Sequence, residues 1–158
     1  LKKSTAKELQ DNSLLFRLGD RKHSKGILQS QIKSINQSNK TTISALHKAK
    51  ELAIEMHDSL KENDLTKFSD ILNRGWEAKR DYTKGVTNKR IEMVSKKAIE
   101  NGAQALKVTG AGGGGHFFIY ANPSKHNSII KSLKKLGVDN VDFKYQNQGS
   151  RVFEINNL

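Results

Sequence analysis

Cysteine is absent from the 158 residues. Disulfides and thiolate metal sites are therefore excluded, and a reducing compartment is comfortable. No apolar run approaches the roughly 20 residues of a membrane span. The opening Leu1-Lys2-Lys3-Ser4 lacks the apolar stretch of a signal peptide. A soluble cytoplasmic protein with no membrane partner is the expectation. The chain begins without methionine, which reads as a piece of a longer protein. Hydrophobic residues make up only 35% of the chain, yet they recur periodically, as in a folded domain. The length fits one domain over residues 1–158.

Acidic residues are the minority, 16 Asp and Glu against 28 Lys and Arg, for a net charge of +12. That balance favours an anionic partner. The lysines alternate with apolar residues instead of massing in one block, however, as on solvated helix faces.

Ser13 to Leu18 read as a strand closed by Gly19-Asp20. Ser24 is placed to cap a helix through Ile27, Leu28, Gln31, Ile32 and Ile35. Ile43, Leu46, Ala49, Leu52, Ala53, Met56 and Leu60 predict a five-turn amphipathic helix. Asn63-Asp64 ends it and caps the next, whose stripe is Leu65, Phe68, Ile71, Leu72 and Trp76, with Gly75 as a local weakness. A fourth helix after Asn88 stops at Gly102. The period then changes. "ALKVTG" and "HFFIYA" read as strands, and Asn122, Pro123 and Gly137 bracket a helix. Val141, Phe143 and Tyr145 alternate as a half-buried strand, and "SRVFEI" closes the chain in the same way. Helices thus fill the first two-thirds and a β-β-α-β-β unit the last third, an α+β architecture with an antiparallel or mixed sheet.

Five of the twelve glycines fall between Gly110 and Gly115, in "KVTGAGGGGHFFIYA". The run satisfies G-x-G-x-x-G, but a dinucleotide site needs a helix after the glycines and an acidic residue about twenty positions on. Strand-like sequence follows, and no Gly-Lys-Ser/Thr ends the run, so a Walker loop fails as well. Two glycines suffice for a tight hairpin. The surplus points to close approach by a backbone or an anion, and successive amides in such a run can form a nest for phosphate oxygens.

This stretch resembles the third motif of the GHMP small-molecule kinases. "HSKGILQSQI" at 23–32, the segment 46–88 and "FKYQNQGSRVFEI" at 143–155 resemble one branch, the D-glycero-D-manno-heptose 7-phosphate kinases. The resemblance covers most of the chain and only the C-terminal half of such an enzyme. It implies a ferredoxin-like domain, an antiparallel sheet of about four to five strands with helices on one side and an additional helical segment. It further implies an ATP- and Mg²⁺-dependent kinase acting on a phosphorylated sugar, in the synthesis of nucleotide-activated heptose. The ATP phosphate loop and the acidic residue near the acceptor hydroxyl are implied to belong to an N-terminal domain of the same polypeptide. No catalytic residue is then expected in this stretch, and on its own it is expected to be inactive. Gly110, Ala111, Gly112, Gly113, Gly114 and Gly115 are implied to face the cleft near the transferred phosphoryl group.

Arg21 and Lys22, in the loop before the first long helix, are candidates for the sugar's phosphate. Lys79, one turn after Trp76 in a "W-x-x-K" pattern, is a candidate to face the cleft. His116 stands where the family usually has a small or apolar residue, and it either contacts phosphate or caps a strand edge. Arg151 of "GSR" reads as structural. His47, His57 and His126 lack carboxylate partners at metal-ligand spacing, so no metal site within this chain is expected. Two alternatives stay open: another GHMP kinase with a different acceptor, or an RNA-binding module using Phe117, Phe118, Tyr120, Phe143, Tyr145 and Phe153. The second lacks any pattern joining a basic residue to these aromatics, and no nucleic-acid partner is expected.

Overall fold

The structure, a computed structural model, describes residues 1–19, 24–146 and 149–150, with the side chains of Ser24 and Lys25 left out. Four strands form the sheet among the described residues: β1 (Ser13–Gly19), β2 (Ala103–Val108), β3 (Gly115–Ala121) and β4 (Asp139–Val141). Their order is β2-β3-β1-β4, with every pairing antiparallel. Helix α1 (Lys3–Asp11) precedes β1. A long crossover of α2 (Ser24–Asn36), α3 (Lys40–Glu62), α4 (Leu65–Arg80) and α5 (Lys89–Glu100) leads to β2, and α6 (Pro123–Lys134) joins β3 to β4. From β1 onward this is the β-α-β-β-α-β order of a ferredoxin-like unit with an enlarged first crossover.

The helix ends follow the capping residues. Asp64 accepts from Lys67 N, Asn88 from Ile91 N and Asn122 from Ser124 N, so each satisfies an amide the helix itself leaves open. Asn63 ends α3 in the left-handed conformation at φ 62°, where asparagine is among the better-tolerated residues.

Strand alternation sends Phe16, Phe117, Ile119, Leu106 and Val108 to one face. There they meet Ile91, Val94 and Ala98 of α5 and Ile129 and Leu133 of α6. Each such side chain contributes about 1.5–3 kcal/mol on full burial. A second, smaller cluster lies on the other face, where Leu9 of α1 and Leu65, Phe68 and Leu72 of α4 pack on Ala105 and Tyr120. Trp76 is 3% exposed in the main core, with the Arg80 guanidinium 5.8 Å from its ring centroid.

Helix α4 also covers the free edge of β2. Asn73 Nδ2 donates to Gln104 O at 2.9 Å, and Asn73 Oδ1 accepts from Leu106 N at 3.3 Å. One carboxamide thus takes the place of a neighbouring strand and blunts an edge that otherwise invites pairing.

Two elements differ from the sequence reading. Helix α1 has no counterpart in it, because only Thr5 and Leu9 of its nine residues are buried. The strand expected over 141–145 is instead β4, pairing Asp139–Val141 with Arg17–Leu15. Beyond Val141 the backbone leaves the ladder, because Gln10 of α1 takes its polar groups: Gln10 Nε2 donates to Phe143 O and Gln10 Oε1 accepts from Tyr145 N. The expected strand over 150–155 and Arg151 lie outside the described residues.

Ser95 Oγ on α5 is buried and has no hydrogen-bond partner among the described residues. Removing an unsatisfied buried hydroxyl relieves its desolvation, so Ser95→Ala is expected to raise stability by about 1 kcal/mol. Thermal melting checks this, and a fall in Tm would mean that the hydroxyl does have a partner.

Candidate functional site: the glycine loop and its supports

The loop between β2 and β3 is closed at its base by Thr109 N donating to His116 O at 2.9 Å, with Thr109 Oγ on the same oxygen at 3.2 Å. All five of its glycines have positive φ, at 69°, 100°, 74°, 159° and 84° for Gly110, Gly112, Gly113, Gly114 and Gly115. Most of these values are unfavourable for any residue with a Cβ.

Space adds a second constraint at two of them. A Cβ at Gly112 would stand 2.7 Å from Val86 O and 2.9 Å from Val86 Cα, and one at Gly113 would stand 2.6 Å from Ile27 Cδ1. The close approach expected from the sequence is thus, at these two positions, that of the chain's own turn before α5 and of the first turn of α2. Gly113 N donates to Val86 O at 2.8 Å, and Asn88 Nδ2 donates to Gly113 O at 3.1 Å.

From beneath, Lys79 at the end of α4 donates its ammonium to Val108 O at 2.9 Å and to Gly110 O. Lys79 is only 7% exposed. The sequence reading had it facing the cleft; instead it lies under the loop, because its acceptors are the carbonyls where β2 turns into the glycines. The turn before α5 is braced in its own right. Thr87 Oγ1 donates to Glu92, which also pairs with Arg80. Burial alone would raise the Glu92 pKa, but the Thr87 hydroxyl and the Arg80 guanidinium together hold the carboxyl below its ordinary range. This contribution to stability is present above the ordinary carboxylate range and is lost as pH falls through the lowered pKa.

Anchored on three sides, the loop borders a cavity of about 360 Å³ lined by Gly26, Ile27, Lys84, Gly85, Asn88 and Gly113. The amides of Ala111, Gly112 and Gly114 find no acceptor among the described residues. Among the described residues Lys84 is the one ionic residue on the cavity wall, which Gly26 and Ile27 in the first turn of α2 also line. Gly113 is the loop's contribution to the wall among the described residues, beside Lys84 and the start of α2. The acceptor-free amides of Ala111, Gly112 and Gly114 flank it in the same loop, and such a run is suited to phosphate oxygens.

Arg21 and Lys22 lie outside the described residues, immediately before α2. His116, the second residue of β3, lies opposite Arg17 of β1 and is half-buried. Alternation with Phe117 puts it on the sheet face away from Ile27 and Val86, so it is not part of the cavity wall. Among the aromatics considered for RNA, Phe117 is wholly buried and Tyr120 is 4% exposed. Phe118 and Phe143 meet edge to face at 6.5 Å, and Phe153 lies outside the described residues. Among the described residues no group of three His, Asp or Glu side chains is placed to hold a metal. The sequence reading assigns no role to Lys84, Gly85 or Val86, and it takes Asn88 only as the start of a helix. The available signal was a glycine, Gly85, between two helical stretches, and its φ is 90°.

A β-α-β-β-α-β unit carrying a braced glycine loop is the C-terminal architecture of a family of small-molecule kinases. The GHMP kinases C terminal family matches residues 56–139, more than half of the chain, and the chain belongs to the GHMP kinases. Over 155 residues it is 30% identical to the D-glycero-alpha-D-manno-heptose 7-phosphate kinase of Campylobacter jejuni, covering 98% of this chain and 45% of that protein. The chain therefore spans less than half the length of this relative. Among solved structures, a D-glycero-D-manno-heptose 1-phosphate kinase from Bacteriodes thetaiotaomicron superposes with a TM-score of 0.61 at 22% identity, covering 98% of this chain and 40% of that one. L. major mevalonate kinase, solved with R-mevalonate, gives a TM-score of 0.66 at 18% identity over 78% of this chain and 38% of its own. These last two bear on the fold. No helix of the described residues is long and apolar enough to cross a membrane.

Proposed function

We propose that this chain forms one wall of the active-site cleft of an ATP-dependent sugar kinase, which phosphorylates the anomeric hydroxyl of D-glycero-D-manno-heptose 7-phosphate. The observation that carries the reading is the glycine loop, fixed by Lys79 and the 85–88 turn and edged by amides without acceptors. Identity along nearly the whole chain to a heptose 7-phosphate kinase supports the acceptor.

Phosphoryl transfer asks mainly for positioning and for neutralisation of charge on the equatorial oxygens. Backbone amides at Ala111, Gly112 and Gly114 can donate to such oxygens without rearranging, and Lys84 adds a positive charge at the rim. Lys79 acts at one remove, by holding the loop in shape. Arg21 and Lys22, leading into α2, remain candidates for the sugar's own phosphate. The described residues offer Mg²⁺ no ligand cluster, so none of them is assigned to it. The ATP phosphate loop and the acidic residue at the acceptor hydroxyl are assigned to an N-terminal domain of the same polypeptide. A cytoplasmic setting and a place in nucleotide-activated heptose synthesis belong to the same proposal.

The test is a panel of phosphosugars and free sugars offered to the full-length protein with ATP and Mg²⁺, followed by ADP release and product NMR. Heptose 7-phosphate is expected to be consumed with a new phosphate on the anomeric carbon. If it is inert while another acceptor turns over, the protein moves to a different branch of the family. ADP release with no acceptor at all would overturn the proposal.

A further inference from the structure

Two oddities of the sequence meet at one place in the fold. Gly75 sits in the middle of α4, although glycine is the poorest helix former after proline, and its φ is not positive. Lys107 sits on β2 on the same face as Ala105, where an apolar side chain would be at home. A Cβ at Gly75 would have one near neighbour, Lys107 Nζ at 3.6 Å. The missing side chain therefore leaves open the space into which the ammonium extends.

That space is a cavity of about 220 Å³ between α3, α4 and β2. Its walls are apolar, with Leu52, Met56 and Ile71 prominent, and Tyr82 and Lys107 bring its polar groups. Among the described residues, Lys107 Nζ has no carboxylate and no carbonyl partner. The carboxylates Glu55 of α3 and Asp70 of α4 are committed elsewhere, to Arg74 at 2.7 Å and 3.3 Å, and neither lines the cavity. Burial alone pushes the Lys107 pKa down, as expected of an amine desolvated without a counter-charge. Burial likewise raises the Tyr82 pKa, so this phenol is a donor at neutral pH.

An unpaired cation, a phenol and an aliphatic lining are the complement of a molecule with one anionic end and a short apolar body. We infer that this cavity is a binding site for a small aliphatic carboxylate, its chain against Leu52, Met56 and Ile71 and its carboxylate paired with Lys107. The volume is below that of sites for drug-sized ligands, which limits the chain to a few carbons. Lys79 is one turn further along α4 and Val108 is next along β2, so the site lies directly behind the anchor of the glycine loop.

The probe is hexanoate, titrated into the protein and followed by amide and methyl NMR, with hexanamide and inorganic phosphate as controls. Saturable shifts centred on Gly75, Met56, Ile71 and Lys107 are expected with hexanoate. Binding should weaken about tenfold or more for hexanamide and for Lys107→Met, the loss of one charge-assisted contact. Ile71→Phe, which narrows the cavity from its apolar wall and keeps the lysine, should weaken the shifts as well. Absence of saturable shifts with hexanoate overturns the inference. So does equal binding of hexanamide, of phosphate, or by Lys107→Met.

Discussion

Gly112→Ala is expected to destabilise the chain by about 3 kcal/mol and, on the proposed function, to silence phosphoryl transfer by the full-length protein. A φ of 100° adds about 1–3 kcal/mol of backbone strain once a Cβ is present. The new atom also meets Val86 O at 2.7 Å and Val86 Cα at 2.9 Å, and backbone atoms cannot turn aside as a side chain can. The loop must lift off the turn, which breaks the 2.8 Å bond from Gly113 N to Val86 O, worth about 1 kcal/mol. Gly113→Ala is the informative contrast. Its φ of 74° lies in the ordinary left-handed region, and its closest neighbour is the tip of Ile27, which can change rotamer. About 1–2 kcal/mol is expected there. Thermal melts of the two variants should differ by several degrees, at about 2–4 °C per kcal/mol for a chain of this size. Equal, small shifts would mean that the loop does not rest on Val86.

Lys79→Met should produce a comparable loss by a different route. Methionine keeps the length and apolar stem of lysine, so packing against the core survives. What disappears is a buried cation donating to Val108 O and Gly110 O. Hydrogen bonds to charged groups contribute about 1.5–3 kcal/mol each, and the carbonyls left behind are desolvated, so a loss of about 3 kcal/mol is expected. If the full-length protein is the proposed sugar kinase, the freed loop should lower its kcat/KM about 100-fold, the scale reached when positioning fails by an ångström. Because Lys79 is buried, KM for the sugar should change less than kcat. A variant that raised KM alone would instead mark Lys79 as a direct substrate contact.

Much of this was legible in the residues. The caps at Asp64, Asn88 and Asn122, the stripes of α3 to α5 and the change of period near Gly102 carry the α+β order. The density of glycine between 110 and 115 marks the loop as a place of close approach. What the sequence does not carry is which body approaches. Val86 and Ile27 are distant along the chain, and nothing in either residue advertises contact with the loop. Lys79 was visible as a lysine one turn past a tryptophan, but its direction depends on where α4 meets β2, a packing fact. The strand over 141–145 illustrates a further limit. Alternation reports which side chains turn inward, and Phe143 does meet Phe118. It does not report whether the backbone pairs with a strand or, as here, with the Gln10 side chain of a helix too polar to be noticed.

The path of the chain through the sheet bears on how the protein is made. Ser13 pairs with Tyr120 and Leu15 with Val141, so β1 leaves the ribosome first while both of its neighbours are synthesised last. Contacts at separations above about 100 residues close slowly. The α3–α4 hairpin, whose partners are adjacent in sequence, is free to form in the meantime. During that interval β1 exposes both edges and the side chains Leu14, Phe16 and Leu18. Nascent chains stalled before residue 115 should therefore bind a holdase chaperone, and they should be released once β3 has emerged.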